Sequence, residues 1–457
     1  MSTIAAISTA PGIGGIGIIR ISGENTYNVL QKIFKPKNKT DFSKEKGYRI
    51  KYGYIVENDK IIDEVLVSIF KAPNSYTTED LCEINSHGGT YIVQKILELC
   101  LKNGAELAEP GEFTKRAFLN GRMDLSQAEA VIDIINAKTQ KESKASMQQL
   151  EGSLLEEIKK IRDLLMSIMV DVEVSIDYPE YDVEEVSHNK AKEVLQQVQL
   201  QLQKLRNSFE TGKIIKEGIK VALIGKPNAG KSSLLNAILK EERAIVTEIE
   251  GTTRDVIQES ISIKGIPINI IDTAGIRDAD NKVEQIGIER SRKSAKEADL
   301  VIAIFDGSKA FTDEDYEIIE MIKNKKSIII LNKVDVGIEE KVKQELENIR
   351  NENEIIEISA KNKDGIEEIY DEIERLFKLD EIKLDNEVTI TNIRHKNIIE
   401  RAIELTKKAI ETNELNLPID MIGLCIKEIM EELGKITGES VSDEIINEIF
   451  AKFCLGK

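Results

Sequence analysis

The sequence predicts a multidomain protein in which an α/β P-loop domain is inserted into a discontinuous α-helical bundle, behind an N-terminal α+β domain. The chain has 457 residues, which exceeds the size of one ordinary hydrophobic core. Between residues 218 and 379, apolar β-branched runs alternate with helical runs, as in doubly wound α/β domains. Helical sequence with few glycines and prolines flanks this stretch on both sides. The predicted domains are 1–119, 120–217, 218–379 and 380–457.

The N-terminal stretch carries short β-type runs separated by turn residues. The runs are Ile16–Ser22, Tyr48–Val56 and Glu64–Phe70, and a helical pattern follows at Thr90–Asn103. This order predicts an α+β domain. The glycines from Gly12 onward fit the GxGxxG dinucleotide fingerprint, but a strand follows them where the fingerprint requires a helix. We therefore expect no nicotinamide or flavin site here.

Two helical blocks enclose the α/β stretch. In the first, apolar residues recur at helical spacing from residue 124, and Ser126 with Glu129 predicts a capping box at the helix start. The acidic, proline-containing segment Ser175–Val186 separates two long helices. The second block follows Leu379. Both blocks are predicted to pack together as one domain with the α/β domain inserted between them, the alternative being two independent helical domains.

Composition restricts the possible function classes. The formal net charge is -18, and so acidic a chain is a poor general binder of nucleic acid unless a basic patch or a partner supplies the cations. The sequence shows no signal peptide and no membrane-spanning run, which predicts a cytoplasmic protein. Wide spacing of the cysteines predicts neither a zinc site nor a disulfide framework. The cysteines are Cys82, Cys100, Cys425 and Cys454.

A phosphate-binding loop is the clearest chemical motif. Gly225 to Ser232 matches GxxxxGK[ST], directly after an apolar strand and before a helix. Its backbone amides and the helix N-terminus favour phosphate oxygens, Lys231 would reach the β- and γ-phosphates, and the Ser232 hydroxyl would bind Mg²⁺. The predicted GTP contacts in this loop are Asn228, Ala229, Gly230, Lys231, Ser232 and Ser233.

Three further motifs follow later strands and predict a guanine-specific, Ras-like G domain. Asp272 would hold Mg²⁺ through water, and the amide of Gly275 would sense the γ-phosphate. The carboxylate of Asp335 can accept hydrogen bonds from guanine N1–H and its exocyclic amine, which adenine does not offer. The predicted GTP contacts in these motifs are Asp272, Thr273, Ala274, Gly275, Asn332, Lys333, Asp335, Ser359 and Ala360.

The segment before Asp272 predicts a γ-phosphate-sensing loop, in which Thr253 is the second Mg²⁺ ligand. The expected GTP contacts there are Thr247, Glu248, Ile249, Glu250, Gly251, Thr252 and Thr253. After Gly275, Ras-like enzymes place a Gln that orients the attacking water, whereas this chain has Ile276. A hydrocarbon cannot orient water, so another group must act. The nearby candidates are Arg277, Asp278 and Glu284.

Taken with both ends of the chain, these motifs resemble the MnmE (TrmE) family of tRNA-modification GTPases. The resemblance covers essentially the whole length and rests on four segments besides the G motifs. These segments are Ile16–Gly23, Glu83–Gly89, Pro110–Leu125 and the terminal Phe453-Cys-Leu-Gly-Lys457.

This resemblance implies further sites. It implies a potassium ion held by Asn228 and the carbonyls of Thr247, Ile249 and Thr252, and it implies Glu284 as the water-orienting residue. An N-terminal folate-binding and dimerising domain would bind 5-formyltetrahydrofolate through Arg20, Glu83, Arg122 and Lys457, although Arg122 stands where relatives commonly have Lys. Cys454 resembles the family's functional cysteine, and the alternative is a small apolar residue on a C-terminal helix.

The resemblance also implies the biochemical role. As a homodimer, the protein would join an FAD-dependent MnmG (GidA) partner in a heterotetramer. Together they would add a carboxymethylaminomethyl-type group to carbon 5 of the tRNA wobble uridine, using a folate one-carbon unit. A ribosome-assembly or signalling GTPase is the alternative, and the folate-type residues and Cys-Leu-Gly-Lys terminus argue against it.

Overall fold

A computed structural model defines most of the chain. It describes residues 2–38, 42, 47–177, 184–239, 244–245, 259–271, 292–323, 325–349, 354–382, 388–415 and 417–457. These residues form two compact units. The first comprises residues 1–132, 149–199 and 401–457, and the second comprises 133–148 and 200–400. The borders predicted at 119, 217 and 379 stay predictions.

The helices, in chain order, are α1 (Thr26–Ile33), α2 (Thr90–Lys102), α3 (Glu112–Leu119), α4 (Leu125–Asn136), α5 (Gln140–Leu150), α6 (Ser153–Asp177), α7 (Glu184–Glu217), α8 (Lys231–Leu239), α9 (Asp313–Ile322), α10 (Glu340–Ile349), α11 (Ile366–Phe377), α12 (Ile393–Glu414), α13 (Ile419–Thr437) and α14 (Asp443–Phe450). A short helical segment at 292–297 also lies among the described residues. The long helices predicted on either side of the α/β region are therefore present.

The first unit contains a seven-stranded sheet. Its strands are β1 (Ile4–Ile7), β2 (Gly14–Ser22), β3 (Phe34–Pro36), β4 (Arg49–Glu57), β5 (Lys60–Phe70), β6 (Leu81–Gly88) and β7 (Glu106–Leu107), in the spatial order β3-β4-β5-β6-β2-β1-β7. Neighbours are antiparallel except for β1 and β7. Apolar residues of β2, β5 and β6 share a buried core with α1 and α2. The β2–β6 register places Arg20 opposite Glu83.

Helices from distant parts of the sequence pack together in the first unit. α6, from the block before the α/β region, packs on α13 from the block after it. The contact is close, because a Cβ added at Gly423 would lie 3.1 Å from Cγ1 of Val172. This packing agrees with a helical domain that is discontinuous in sequence.

The capping box predicted for α4 was misplaced by two residues. Oδ1 of Asp124 accepts the backbone N–H of Gln127 at 2.7 Å, and the N–H of Asp124 donates to Oε1 of Gln127 at 3.0 Å. The hydroxyl of Ser126 instead donates to Asp124. Asp is at least as good an N-cap as Ser, so Asp124 caps α4, which begins at Leu125. The prediction for Ser126 and Glu129 was wrong.

The second unit contains another seven-stranded sheet. Its strands are β8 (Ile219–Gly225), β9 (Ala244–Ile245), β10 (Glu259–Ile263), β11 (Ile266–Ile271), β12 (Leu300–Asp306), β13 (Ser327–Asn332) and β14 (Ile355–Ile358), in the order β14-β13-β12-β8-β11-β10-β9. The five strands from β14 to β11 are parallel, while β10 and β9 form an antiparallel edge. Alternate residues of β8 enter two buried clusters, Val221 and Leu223 on one face and Ala222 and Ile224 on the other. The sheet is therefore covered on both faces, as its apolar strands predicted.

Candidate nucleotide site and a second polar site

The loop between β8 and α8 has the backbone of a phosphate-binding loop. Asn228 and Gly230 have positive φ values of +63° and +110°, which turn the chain sharply before α8 begins at Lys231. Nζ of Lys231 donates to the carbonyl oxygens of Gly225, at 2.5 Å, and Lys226, at 2.8 Å. Burial lowers the pKa of Lys231 below the ordinary lysine value. An anion at this helix N-terminus would favour the charged form of Lys231 and so oppose this lowering of its pKa.

Asn332 connects three of the sequence motifs. Its side chain is buried, Nδ2 donates to the carbonyl of Ala229 at 2.8 Å, and Oδ1 accepts the N–H of Ala360 at 3.1 Å. A Cβ added at Gly230 would lie only 2.0 Å from this Nδ2. We predicted Asn332 as a nucleotide contact, but spacing alone did not show that it joins the phosphate loop to the last motif.

Asp335 is held for base recognition by a neighbouring strand end. The hydroxyl of Ser359 donates to Oδ1 of Asp335 at 2.7 Å and accepts the N–H of Asn362 at 3.2 Å. Asp335 itself is exposed, whereas Ser359 and Ala360 are buried. The carboxylate therefore has a fixed orientation and an open side that can accept the two donors of guanine.

Asp306 is a buried carboxylate that sequence reasoning missed. Its Oδ2 receives Nζ of Lys333 at 2.7 Å, and its Oδ1 receives the N–H and hydroxyl of Ser308. Burial by itself raises the pKa of Asp306, but the bonds from Lys333 and Ser308 outweigh burial and hold that pKa below its ordinary value. The available signal was its place at the carboxyl end of β12, where parallel strands position ligand-binding groups.

A second polar site lies on the sheet of the first unit. Nη2 of Arg20 is 2.8 Å from Oε1 of Glu83, and Nη1 donates to the carbonyl of Gly456 at 3.4 Å. The guanidinium carbon of Arg20 lies 5.3 Å from the ring centroid of Tyr76, and that of Arg122 lies 4.7 Å from the same ring. The structure thus brings together Arg20, Glu83 and Arg122, with both guanidinium groups close to the ring of Tyr76.

The C-terminal residues complete this second site through their backbone. The carbonyl of Gly456 accepts the hydroxyl of Ser8 at 3.0 Å, and the carbonyl of Lys457 accepts the N–H of Phe113 at 3.1 Å. Gly456 has φ +85°, and a Cβ there would lie 2.2 Å from the carbonyl oxygen of Ile7. Only glycine fits that contact. Cys454 is exposed in the same tail.

Known proteins and family models match this chain over essentially its whole length. Residues 125–454 match the family model described as MnmE helical domain, and residues 3–122 match the model described as GTP-binding protein TrmE N-terminus. The tRNA modification GTPases MnmE of Acetivibrio thermocellus and Clostridioides difficile are each 49% identical to it, over 457 and 455 residues. Both alignments cover 100% of this chain and 99% of the relative. The MnmE protein of Finegoldia magna is 50% identical over 459 residues, covering 99% of each.

The chain belongs to the MnmE family of tRNA modification GTPases. Membership confirms an N-terminal TrmE domain, a helical domain and a P-loop G domain, while the predicted folate-binding character of the first stays a prediction, and it makes the chain a GTP hydrolase. The described part of the G domain contains the phosphate loop and both predicted guanine motifs. No helix among the described residues is long and apolar enough to cross a membrane.

Several predicted site residues lie outside the described residues, and their assignments stay predictions. They are Thr247, Glu248, Ile249, Glu250, Gly251, Thr252, Thr253, Asp272, Thr273, Ala274, Gly275 and Glu284. Of the proposed Mg²⁺ ligands, Ser232 is described, exposed at the start of α8. Its hydroxyl beside a phosphate-binding helix N-terminus is a donor type and position that suit Mg²⁺.

His87 and Asp63 form a pair on the MnmE N-terminal domain that sequence reasoning did not identify. Nδ1 of His87 is 2.6 Å from Oδ1 of Asp63, whose Oδ2 accepts the backbone N–H of His87 at 2.8 Å. The hydrogen bond and charge of Asp63 raise the pKa of His87 above its ordinary value of 6.5. The ion pair therefore adds stability at low pH, which is lost as the pH rises through this raised pKa.

The His87 pair gives a titration test. We expect Asp63→Asn to return the pKa of His87 toward 6.5, because Asn keeps the backbone hydrogen bond but removes the negative charge. NMR titration of the His87 ring measures the shift directly. An unchanged pKa in the variant would show that Asp63 does not control this imidazole.

Proposed function

We propose that this GTPase modifies tRNA at carbon 5 of the wobble uridine, adding a carboxymethylaminomethyl-type group together with an FAD-dependent MnmG (GidA) partner. The relatives that support this reading are named tRNA modification GTPases. The observation that carries it is the joint presence of two sites. One is a guanine-nucleotide site joined by Asn332, and the other is the Arg20–Glu83 site joined to the C-terminal tail.

At the nucleotide site the chain's own groups have separable tasks. Asp335 accepts the guanine donors, and Lys231 with the α8 N-terminus binds the phosphates. Ser232 and Thr253 would hold Mg²⁺, and Asp272 would hold it through water. Mg²⁺ supplies positive charge that stabilises the transferring phosphoryl group.

Asn228 would hold a potassium ion that supplies the positive charge an arginine finger supplies in other GTPases, and Glu284 would take the role of the Gln. Asn228, with its positive φ, presents its side chain at an exposed turn of the phosphate loop, which suits an oxygen ligand. The carbonyls of Thr247, Ile249 and Thr252 would be the other potassium ligands. Glu284 would orient the attacking water, because the hydrocarbon side chain of Ile276 cannot. Pairing of two G domains in a homodimer closes the site.

The proposal predicts that hydrolysis depends on the cation. We expect the GTPase rate to be several-fold higher in KCl than in NaCl at equal ionic strength, because K⁺ adds charge beside the transferring phosphate. Asn228→Ala should remove this difference and leave a slow, cation-independent rate. Equal wild-type rates in both salts would contradict the potassium assignment, while leaving GTP binding intact.

The second site has the chemistry of a folate pocket. Glu83 can accept hydrogen bonds from pterin N–H groups, and Arg20, Arg122 and Lys457 offer cations to a glutamate carboxylate. Tyr76 adds an aromatic ring close to both arginines. The residues therefore fit 5-formyltetrahydrofolate or a related folate as the source of the one-carbon unit. Cys454 is proposed to serve the same chemistry from the neighbouring tail.

Calorimetry tests the folate assignment. We expect the wild-type protein to bind 5-formyltetrahydrofolate and Arg20→Ala to abolish the heat, because that change removes the cation and leaves Glu83 unpaired. Lys60→Ala removes a cation from an exposed position on β5 and should bind normally. A wild-type protein that gives no heat would exclude this folate site.

The decisive test of the output is mass spectrometry of tRNA nucleosides from cells that lack this gene. Wobble uridines without the carbon 5 group should accumulate, and the wild-type gene should restore the modification. The Arg20→Ala gene should fail to do so although its product still hydrolyses GTP. Unchanged nucleosides with defective ribosomal particles would instead favour a ribosome-assembly switch.

A further inference from the structure

Asp315 is a buried carboxylate near the start of α9 that contacts the phosphate loop. It is 2% exposed and belongs to the capping box of the helix, accepting the backbone N–H of Thr312 at 2.8 Å. The same Oδ2 also receives Nζ of Lys226. That ammonium donates in addition to the hydroxyl of Thr312, at 3.1 Å. A capping carboxylate is thus paired with a cation from another segment of the G domain.

Helix capping alone does not explain this arrangement. Capping needs only a hydrogen-bond acceptor and no cation, and a buried carboxylate is costly unless it is paired and hydrogen-bonded. Lys226 supplies the countercharge and is itself part of the phosphate loop, directly after Gly225. Its carbonyl is one of the two that receive Nζ of Lys231. The residue that pairs with Asp315 therefore also provides a backbone acceptor for the phosphate-binding lysine.

The connection from β12 to α9 makes a similar contact at its other end. Asp306, the last residue of β12, pairs with Lys333 of the guanine motif. The segment from Asp306 to Asp315 thus has a buried carboxylate at each end, one paired with the guanine motif and the other with the phosphate loop. Both contacts hold a lysine by its ammonium, so both depend on charge and not on packing alone.

We propose that Asp315 is a positioning residue for GTP binding, holding the phosphate loop in its binding conformation through Lys226. The inference rests on the GTPase activity of the family and is independent of the tRNA and folate proposals. Asp315 touches no nucleotide in this role. Its effect should fall on phosphate affinity and leave the choice of base unchanged, because Asp335 reads the base.

Asp315→Asn separates this role from capping. The Asn side chain keeps an oxygen that can accept the Thr312 N–H, but it removes the charge that pairs with Lys226. We expect dissociation constants for GTP and GDP to rise about tenfold, which is the usual scale for losing a charged hydrogen bond. The affinity ratio of GTP to inosine triphosphate should not change. Glu314→Gln removes an exposed charge from the same turn and should bind as wild type.

A double-mutant cycle assigns the effect to the pair. Lys226→Met should weaken both nucleotides by a similar factor, and the double variant should be no weaker than the weaker single variant. Lys226→Arg keeps the charge and should retain most of the affinity. Thermal unfolding without nucleotide identifies any variant that is misfolded, and if Asp315→Asn does not fold, the two Lys226 variants decide.

Two results would overturn the proposal. One is wild-type affinity for GTP and GDP in folded Asp315→Asn or Lys226→Met. The other is strictly additive losses in the double variant, which would show that Asp315 and Lys226 act separately. Neither result bears on tRNA modification, which is measured by nucleoside analysis.

Discussion

Asp335→Asn is expected to convert the chain from a guanine to a xanthine nucleotide binder. GTP affinity should fall by about a thousandfold or more, the scale seen when a site built to hydrogen-bond its ligand loses the matching partner. The hydroxyl of Ser359 donates to Oδ1 of Asp335 at 2.7 Å and fixes the orientation of this side chain. The NH₂ group of the new Asn would therefore face the exocyclic amine of guanine, and two hydrogen-bond donors would oppose each other. Xanthine carries an oxygen at that position and should therefore bind better than guanine.

Competition binding with GTP and xanthosine triphosphate measures this switch. Glu340→Gln, an exposed carboxylate at the start of α10, is the matched control and should leave both affinities unchanged. Equal weakening of both nucleotides by Asp335→Asn would mean that the residue supports the loop without reading the base.

Gly230→Ala is expected to weaken GTP binding by about a hundredfold or more, because the change combines strain with a steric clash. Gly230 has φ +110°, and its new Cβ would lie 2.0 Å from Nδ2 of Asn332. Asn332 cannot turn aside freely, since its amide is bonded to both Ala229 and Ala360. The substitution would therefore separate the phosphate loop from the guanine motif.

Gly104→Ala provides a control at a glycine with nearly the same φ. Gly104 has φ +111°, but a Cβ there meets nothing within 4 Å. It should cost about 1–2 kcal/mol of stability from the strained backbone and leave GTP affinity unchanged. Nucleotide titration with thermal unfolding compares the two variants. Retained affinity in Gly230→Ala would show that the Asn332 link is dispensable.

The sequence was most informative where function requires fixed spacing along the chain. The phosphate loop could be predicted because its glycines, Lys231 and Ser232 must stand at set intervals to bind phosphate. Alternation of apolar runs likewise predicted the parallel strands. It did not predict that β10 and β9 form an antiparallel edge, because an apolar run has the same pattern whether the strand is parallel or antiparallel to its neighbour.

Contacts between distant segments could not be predicted from spacing. Asn332 is 103 residues from Ala229, and Lys226 is 89 residues from Asp315, so no local pattern indicates either pair. Residue type alone left Asp306 and Asp315 looking like ordinary acidic residues. The Arg20–Glu83 pair was expected only through resemblance to a family, and the β2–β6 register provides its physical basis.

The Asn332 amide has a consequence for following the molecule in solution. The N–H of Ala360 is bonded to the side chain of Asn332, which is bonded in turn to Ala229 of the phosphate loop. The Ala360 N–H should therefore exchange slowly with solvent deuterium only while the phosphate loop and the two guanine motifs are joined. A single backbone proton two residues beyond β14 thus reports the order of a phosphate loop that lies more than a hundred residues earlier in the chain. Its exchange rate with and without nucleotide would measure how far GTP itself assembles the site.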